Sequence, residues 1–386
     1  MTFRRPVPSR RRSRGAAAVA ALGAAALLAA CGSSSSPTAS SSGSGGSGSA
    51  TTAPSGSGAT SGSGAAGSVP STKKVPLVMY EAEGYAETVA KAFTAKTGIP
   101  VKDVNHSTGT LLAKIQAEGS NPQWSFLWVD GDEPFAAMDK AGMLVRGFEP
   151  TTGTPNAVGK SLVPADKSYI PTGTTVAGAL VYDSKVVKNP PTSWTQLTSA
   201  KWKGKVGMNN PALSGPTYPF VAGMMQQLGG VQAGEKYFEQ LKANGLHVYG
   251  TNKVTLAALA NGSIDLAVVQ NSAGLGFAFS NPAIKVAYPS NVTLLPGILG
   301  IDGKAPAAQI AEAKQFADFV YSPAGQAAML AGDPHGDSLF DPIIVGTKPH
   351  SVVPALSSLP LQTLDPYVWG SRENAVNTFF TDHIIN

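Results

Sequence analysis

Cysteine is almost missing from this sequence: Cys31 is the only one in 386 residues. A lone thiol excludes an intrachain disulfide and any cluster of thiolate metal ligands. Histidine is scarce too, and the five present (His106, His247, His335, His350 and His383) show no HExxH or other ligand spacing. No GxSxG elbow, P-loop or GxGxxG ahead of a helix occurs, so no catalytic residue and no cofactor is expected. Charged residues are sparse, at 14%. The formal net charge of +5 is confined to one end, because residues 1–30 hold six arginines (Arg4, Arg5, Arg10, Arg11, Arg12 and Arg14) and no acid. With those six set aside, the 29 basic side chains fall to 23 against 24 acids, which calls for no nucleic acid. Long apolar runs are also lacking. The run Ala16 to Ala30 is too short and too rich in alanine to span a bilayer.

What is present begins with that same segment. An Arg-rich start followed by a short apolar run has the layout of a signal peptide, over residues 1–30. It ends Leu28-Ala29-Ala30-Cys31-Gly32, which resembles the lipobox of bacterial lipoproteins. That resemblance implies cleavage before Cys31, acylation of its sulfur and attachment to the extracytoplasmic face of a membrane. Residues 31–72 are Cys31 and then, apart from Val69, Ser, Gly, Ala, Thr and Pro without charge, a flexible tether. About 40 such residues reach roughly 35 Å, enough to hold a globular body clear of lipid headgroups.

The body starts at Lys73. Val75 to Tyr80 reads as a strand, Tyr85 to Lys96 as a helix closed by Thr97-Gly98-Ile99-Pro100, and Val101 to Val104 as a second strand. Leu111, Leu112 and Ile115 recur at helical spacing behind Ser107, Thr108 and Thr110, and Phe126 to Val129 is a buried strand. This alternation predicts a parallel sheet with helices on both faces. After the apolar run Val176 to Tyr182 the pattern repeats, with strands at Lys203 to Met208, Val248-Tyr249 and Ile264 to Val269. Helices are expected at Tyr218 to Leu228, Val231 to Asn244 and Val254 to Ala260. Strands at Val286 to Tyr288 and Leu294 to Ile301 lead to helices at Pro306 to Tyr321 and Gly325 to Ala331. The expectation is an α/β protein of two doubly wound lobes around a hinged cleft. Residues 73–175 with 287–345 form the first lobe, residues 176–286 the second, and residues 346–386 a tail packed on both.

Ligands of open α/β sheets bind at the carboxyl ends of the strands. Glu81, Glu83, Asp130, Asp132 and Glu133 lie at such ends and offer an acidic rim, although acids in turns are ordinarily just solvated. Asp130, first after its strand, is the strongest of them. Ser107, Thr108, Ser214, Gly215 and Ser272 are small donors at helix starts or strand ends, suited to phosphate, phosphonate or carboxylate, and equally suited to plain capping. Thr217, Tyr218 and Asn271 adjoin them. Tyr249 and Tyr288 are further candidates for the cleft wall, where a packed ring with a wet hydroxyl is the ordinary case.

Several pieces together resemble the bacterial extracellular solute-binding proteins of ABC importers, with the fold of type II periplasmic binding proteins. They are Val78-Met79-Tyr80, Val89 to Phe93, Thr97-Gly98-Ile99-Pro100-Val101, Trp194 to Leu197 with Trp202 to Gly207, Asn261-Gly262-Ser263-Ile264-Asp265 and Ser322-Pro323-Ala324-Gly325-Gln326. Within that class the likeness is to the ferric-ion and phosphonate-binding group. In the ferric group a pair of adjacent tyrosines after the strand that follows the Asn-Gly motif holds the metal, helped by acids or imidazoles of the first lobe and by an anion at a Ser-Gly helix start. Here Ser272 and Ala273 stand where the tyrosines would be, whereas Ser214-Gly215 matches the anion seat. The resemblance implies a small-molecule or ion ligand, a membrane permease as partner and a monomer. The ligand it favours, with the acids above, is an aminoalkyl phosphonate or another small anion or zwitterion. Ferric iron with a synergistic anion is the alternative within the class. An exported enzyme or a ligand-sensing domain on the same scaffold is the alternative outside it.

Overall fold

The computed structural model describes residues 74–386. The expected signal peptide, Cys31 and the tether lie outside the described residues.

Two sheets account for the strands. The first opens with β1 (Leu77–Glu81), helix α1 (Ala86–Thr97), β2 (Val101–Asn105), α2 (Thr108–Glu118) and β3 (Phe126–Asp130). β1 pairs in parallel with β2 and β3, as the alternation predicts. α1 buries Ala86, Val89, Ala90 and Phe93 along one stripe and stops at Gly98, whose φ of 72° suits glycine. All of β3 is buried because helices cover both faces. Phe126 and Trp128 point to a core with Phe93, Phe316 and Phe319. Leu127 and Val129 point to another with Leu111, Ile115 and Phe135.

Beyond β3 come α3 (Glu133–Lys140), α4 (Ala157–Ser161) and β4 (Ile170–Val176). The second sheet starts at β5 (Ala179–Asp183) and adds β6 (Val206–Asn209), α5 (Thr217–Gln227), α6 (Val231–Ala243), β7 (His247–Tyr249), α7 (Asn252–Ala260), β8 (Leu266–Val269), α8 (Asn271–Ser280) and β9 (Ile284–Ala287). Its strand order is β7-β6-β8-β5-β9. The chain then returns to the first sheet as β10 (Val292–Ile301), followed by α9 (Ala307–Tyr321), α10 (Pro323–Gly332), β11 (Leu361–Gln362), α11 (Pro366–Gly370), α12 (Glu373–Phe379) and a π-helical turn, Phe380–Ile385. β10 pairs with β3, β4 and β11.

The sheets are mixed rather than wholly parallel. β10 runs antiparallel to β3 and β4, and β5 antiparallel to β8 and β9. Strands that carry the chain between the sheets arrive from the far side, so they enter against the direction of the wound strands. The C-terminal segment joins both sheets. β11 adds to β10, while Trp369, Val376, Phe380 and Ile384 enter the core of the second sheet beside Phe238 and Leu241.

Candidate functional site

The acids expected on solvated turns are buried. Glu81 is 1% exposed, Glu83 3%, Asp130 8% and Asp132 8%. Asp130 and Asp132 turn inward because α3 starts at Glu133 directly after β3, with Pro134 in its first turn, whereas Glu81 is covered from Asn105 and the turn at Glu83 and Gly84 from the distant loop of Asp337. Asp130 ends β3 in the first sheet, and Gln270 follows β8 in the second. The Gln270 side-chain Nε2 donates to Asp130 Oδ2 at 2.8 Å and to Thr175 Oγ1 at 3.3 Å. This bond joins the carboxyl ends of two strands from different sheets.

Around it three carboxyl groups converge. Burial raises the Asp130 carboxyl well above its ordinary pKa, the Asp337 charge adds to this, and the bond from Gln270 opposes it. Glu83 is likewise raised, first by burial and then by the Asp130 and Asp337 charges. Asp337, in the loop after α10, is pushed up to about 6 by burial. Its Oδ2 accepts the Gly84 N–H at 2.8 Å, and its Oδ1 lies 3.5 Å from Ser272 Oγ at the start of α8. The ring of Tyr85 closes one wall against Trp128 and Phe340, with centroids 5.3 and 5.7 Å away. Glu81 stands beside the group but is tied up: its Oε1 accepts the Asn105 amide at 2.6 Å and its Oε2 the Glu83 N–H at 2.7 Å.

The small donors expected in opposite jaws do meet. The N-terminus of α2 lies against the loop between β6 and α5, where the Gly109 N–H donates to Leu213 O at 3.2 Å. A Cβ on Gly215 would stand 2.4 Å from Thr108 Oγ1, so that hydroxyl fills the space over the Ser214-Gly215 turn. Ser214 Oγ accepts from Asn209 Nδ2 at 3.2 Å, and Ser107 Oγ pairs with Thr110 Oγ1 at 2.8 Å. Beyond this contact a groove of about 800 Å³ runs between α2, α3 and α12, with Leu112, Met138 and Glu373 among its walls.

Other expected residues serve elsewhere. Asn271 begins α8, and its Oδ1 accepts the Val176 N–H at 2.8 Å where the chain passes between sheets. Thr217 is buried at the start of α5. Tyr218 is packed in the core, with its hydroxyl donating to Trp369 O at 2.5 Å. Tyr249 stacks on His247, and the Tyr288 hydroxyl is buried beside the Asn271 side chain. Asp132 and Glu133 face the C-terminal segment. Burial pushes Asp132 and Glu373 up to about 7, and Glu133 well above its usual range.

Gln270, Asp337 and Tyr85 were not among the sequence candidates. The rule that singled out Asp130, first residue after a strand, applies equally to Gln270 after β8 and would have found it. Asp337 sits in a Gly- and Asp-rich loop that carries no such signal.

Residues 88–336 match the family model described as bacterial extracellular solute-binding protein. The chain belongs to that family. Among relatives of this solute-binding protein, a periplasmic protein of Salmonella typhimurium, provisionally named for 2-aminoethylphosphonate binding, is 24% identical over 273 residues, covering 67% of this chain and 77% of the relative. The major ferric iron-binding protein of Neisseria meningitidis serogroup B is 30% identical over 259 residues, 64% of this chain and 75% of the relative. The fold matches the solved structure of the periplasmic binding protein P5PA with a TM-score of 0.71 at 21% identity, covering 81% of this chain and 100% of that one. The two sheets with their helices therefore share the two-lobed fold of that protein.

Proposed function

We propose that this solute-binding protein is the receptor subunit of an ABC importer, held outside the membrane by acylation of Cys31, and that it captures one small solute by closing two lobes. Residues 73–175 with 287–345 form one jaw and residues 176–286 the other, with the C-terminal segment lashed across both. The observation that carries this reading is the Gln270 to Asp130 hydrogen bond, which links the ligand-binding ends of strands in different sheets. Glu83, Asp130, Gln270, Ser272 and Asp337 form the site, and Thr108 with Ser214 and Gly215 forms the rim that seals it. A receptor of this kind needs donors and acceptors but no nucleophile with its base. The site residues meet that need.

The Neisseria relative supports a second reading, in which the cargo is ferric iron with an anion. Against it stand Ser272 and Ala273, which supply no phenolate at the end of β8. Native mass spectrometry of the full chain, dialysed and then incubated with spent culture medium, tests the receptor reading. One retained solute per protein is expected, and saturation at 100 times the dissociation constant should add about 2.7 kcal/mol to stability. Failure to retain any solute would refute the receptor role. An iron-containing adduct would favour the second reading.

A further inference from the structure

The charge at the centre of the site is of one sign. Glu83, Asp130 and Asp337 come from three separate segments, the loop after β1, the end of β3 and the loop after α10. None of the ion pairs among the described residues reaches them. Glu83 is 3% exposed, the Tyr85 hydroxyl lies beside its carboxyl, and its Oε1 meets no donor at hydrogen-bonding geometry. A buried carboxylate with an unfilled oxygen is costly unless a positive group meets it.

Both places where an anion would sit are occupied by the protein itself. Thr108 Oγ1 fills the space over Gly215, and the Asp337 carboxyl stands 3.5 Å from the Ser272 hydroxyl at the start of α8. An anionic ligand group at α8 would meet that carboxylate. The described residues contain no group of three or more His, Cys, Asp or Glu side chains placed to hold a metal ion. A bare metal cargo is therefore the poorer match. An amine donates several N–H bonds over a wider radius and suits oxygens that are not drawn into a coordination shell.

Building on the receptor reading, we propose that Glu83, Asp130 and Asp337 seat a small organic cation, a diamine or comparable amine that carries no anionic group. Gln270 reports closure over it, and Tyr85 walls it from water.

Isothermal titration of the full chain at pH 7.5 with 1,4-diaminobutane, 2-aminoethylphosphonate, inorganic phosphate and ferric citrate decides the matter. The diamine should bind most tightly, and Glu83→Gln and Asp130→Asn should each weaken it more than tenfold. The ligand-free variants should melt no lower than the parent, since each replaces a carboxyl whose charged form burial disfavours with a neutral amide of the same shape; this separates loss of binding from loss of folding. Tighter binding of 2-aminoethylphosphonate, phosphate or ferric citrate than of the diamine would overturn the proposal and leave the receptor role standing. Undiminished diamine binding in both variants would also overturn it. So would a chain that retains a solute from medium yet binds none of the four probes. A chain that retains nothing from medium would take the receptor reading with it.

Discussion

Closure of the lobes depends on glycine, and Gly109→Ala tests this directly. Gly109 lies in the first turn of α2, and a Cβ built there would stand 1.9 Å from the Ala212 carbonyl oxygen of the opposite lobe, where ordinary contact is 3.4–4 Å. The obstacle is backbone on both sides, so relief needs a separation of about 1.5 Å between the lobes rather than a rotamer change. Forcing extra atoms into packed surfaces costs roughly 1–3 kcal/mol. That cost falls only on the closed state, because Ala is a better helix former than Gly by about 0.5–1 kcal/mol and α2 itself gains. With every 1.4 kcal/mol worth a factor of ten, the dissociation constant should rise about 5- to 150-fold. The melting temperature of the ligand-free chain should hold or rise. Titration calorimetry with the captured solute reads the dissociation constant, scanning calorimetry the melting temperature, and small-angle scattering the separation of the lobes, as a larger radius of gyration in the ligand-free variant. Unchanged affinity with unchanged dimensions would show that α2 and the loop at residues 210–215 do not meet in the bound state.

Two further outcomes follow from the buried acids and from the C-terminal segment. The carboxyls of Glu81, Asp132 and Glu373 are pushed up to about 7 and that of Asp337 to about 6, each first of all by burial. Unfolded carboxyls titrate near 4, so between pH 4 and 7 the folded chain binds more protons than the unfolded one. Ligand-free stability should therefore be greatest at the acid end of that window and fall as pH rises through about 7. A melting temperature that climbs from pH 5 to pH 8 in scanning calorimetry would contradict this. Ending the chain after Gly370 removes Val376, Phe380 and Ile384, which are 2%, 0% and 5% exposed. At about 1.5–3 kcal/mol for each large buried side chain, the loss approaches the whole stability of a domain. Such a chain should be digested by protease within the second lobe, and full resistance would refute the packing role.

The alternation of strands and helices was legible because burial writes itself into periodicity. Phe126 to Val129 could hardly be anything but a covered strand, and Val89 with Phe93 fixed the face of α1. The helices at Glu133–Lys140 and Asn271–Ser280 were less legible: Asp132, Glu133 and Pro134 do announce the first, but among acids that also read as a turn, and Gln270 does not cap the second. α8 in particular shows apolar residues on all sides, with no stripe to read. The site was half legible. Asp130, Thr108 and Ser214 follow from local rules about strand ends and helix starts. The partners of Asp130 lie 140 and more than 200 positions away in the chain, and only the two chain crossings bring Gln270 and Asp337 to it. The burial of the acids was missed for the same reason: a turn is solvated or not according to what a distant segment lays over it.

The single strand β10 carries a consequence for how the protein is made. It pairs with β3, β4 and β11, so it is the seam of the first lobe, yet it begins only at Val292. A chain emerging from a ribosome or a translocation pore therefore presents β1, β2 and β3 long before their neighbour exists. During that interval the free edge of β3, five apolar or acidic residues with unpaired amides and carbonyls, is open to any passing strand. The second lobe can complete its own sheet first, because β5 to β9 are contiguous in the chain. Assembly order is thus inverted relative to synthesis: the part made first is finished last, and a holding chaperone would have its main work between residues 130 and 301.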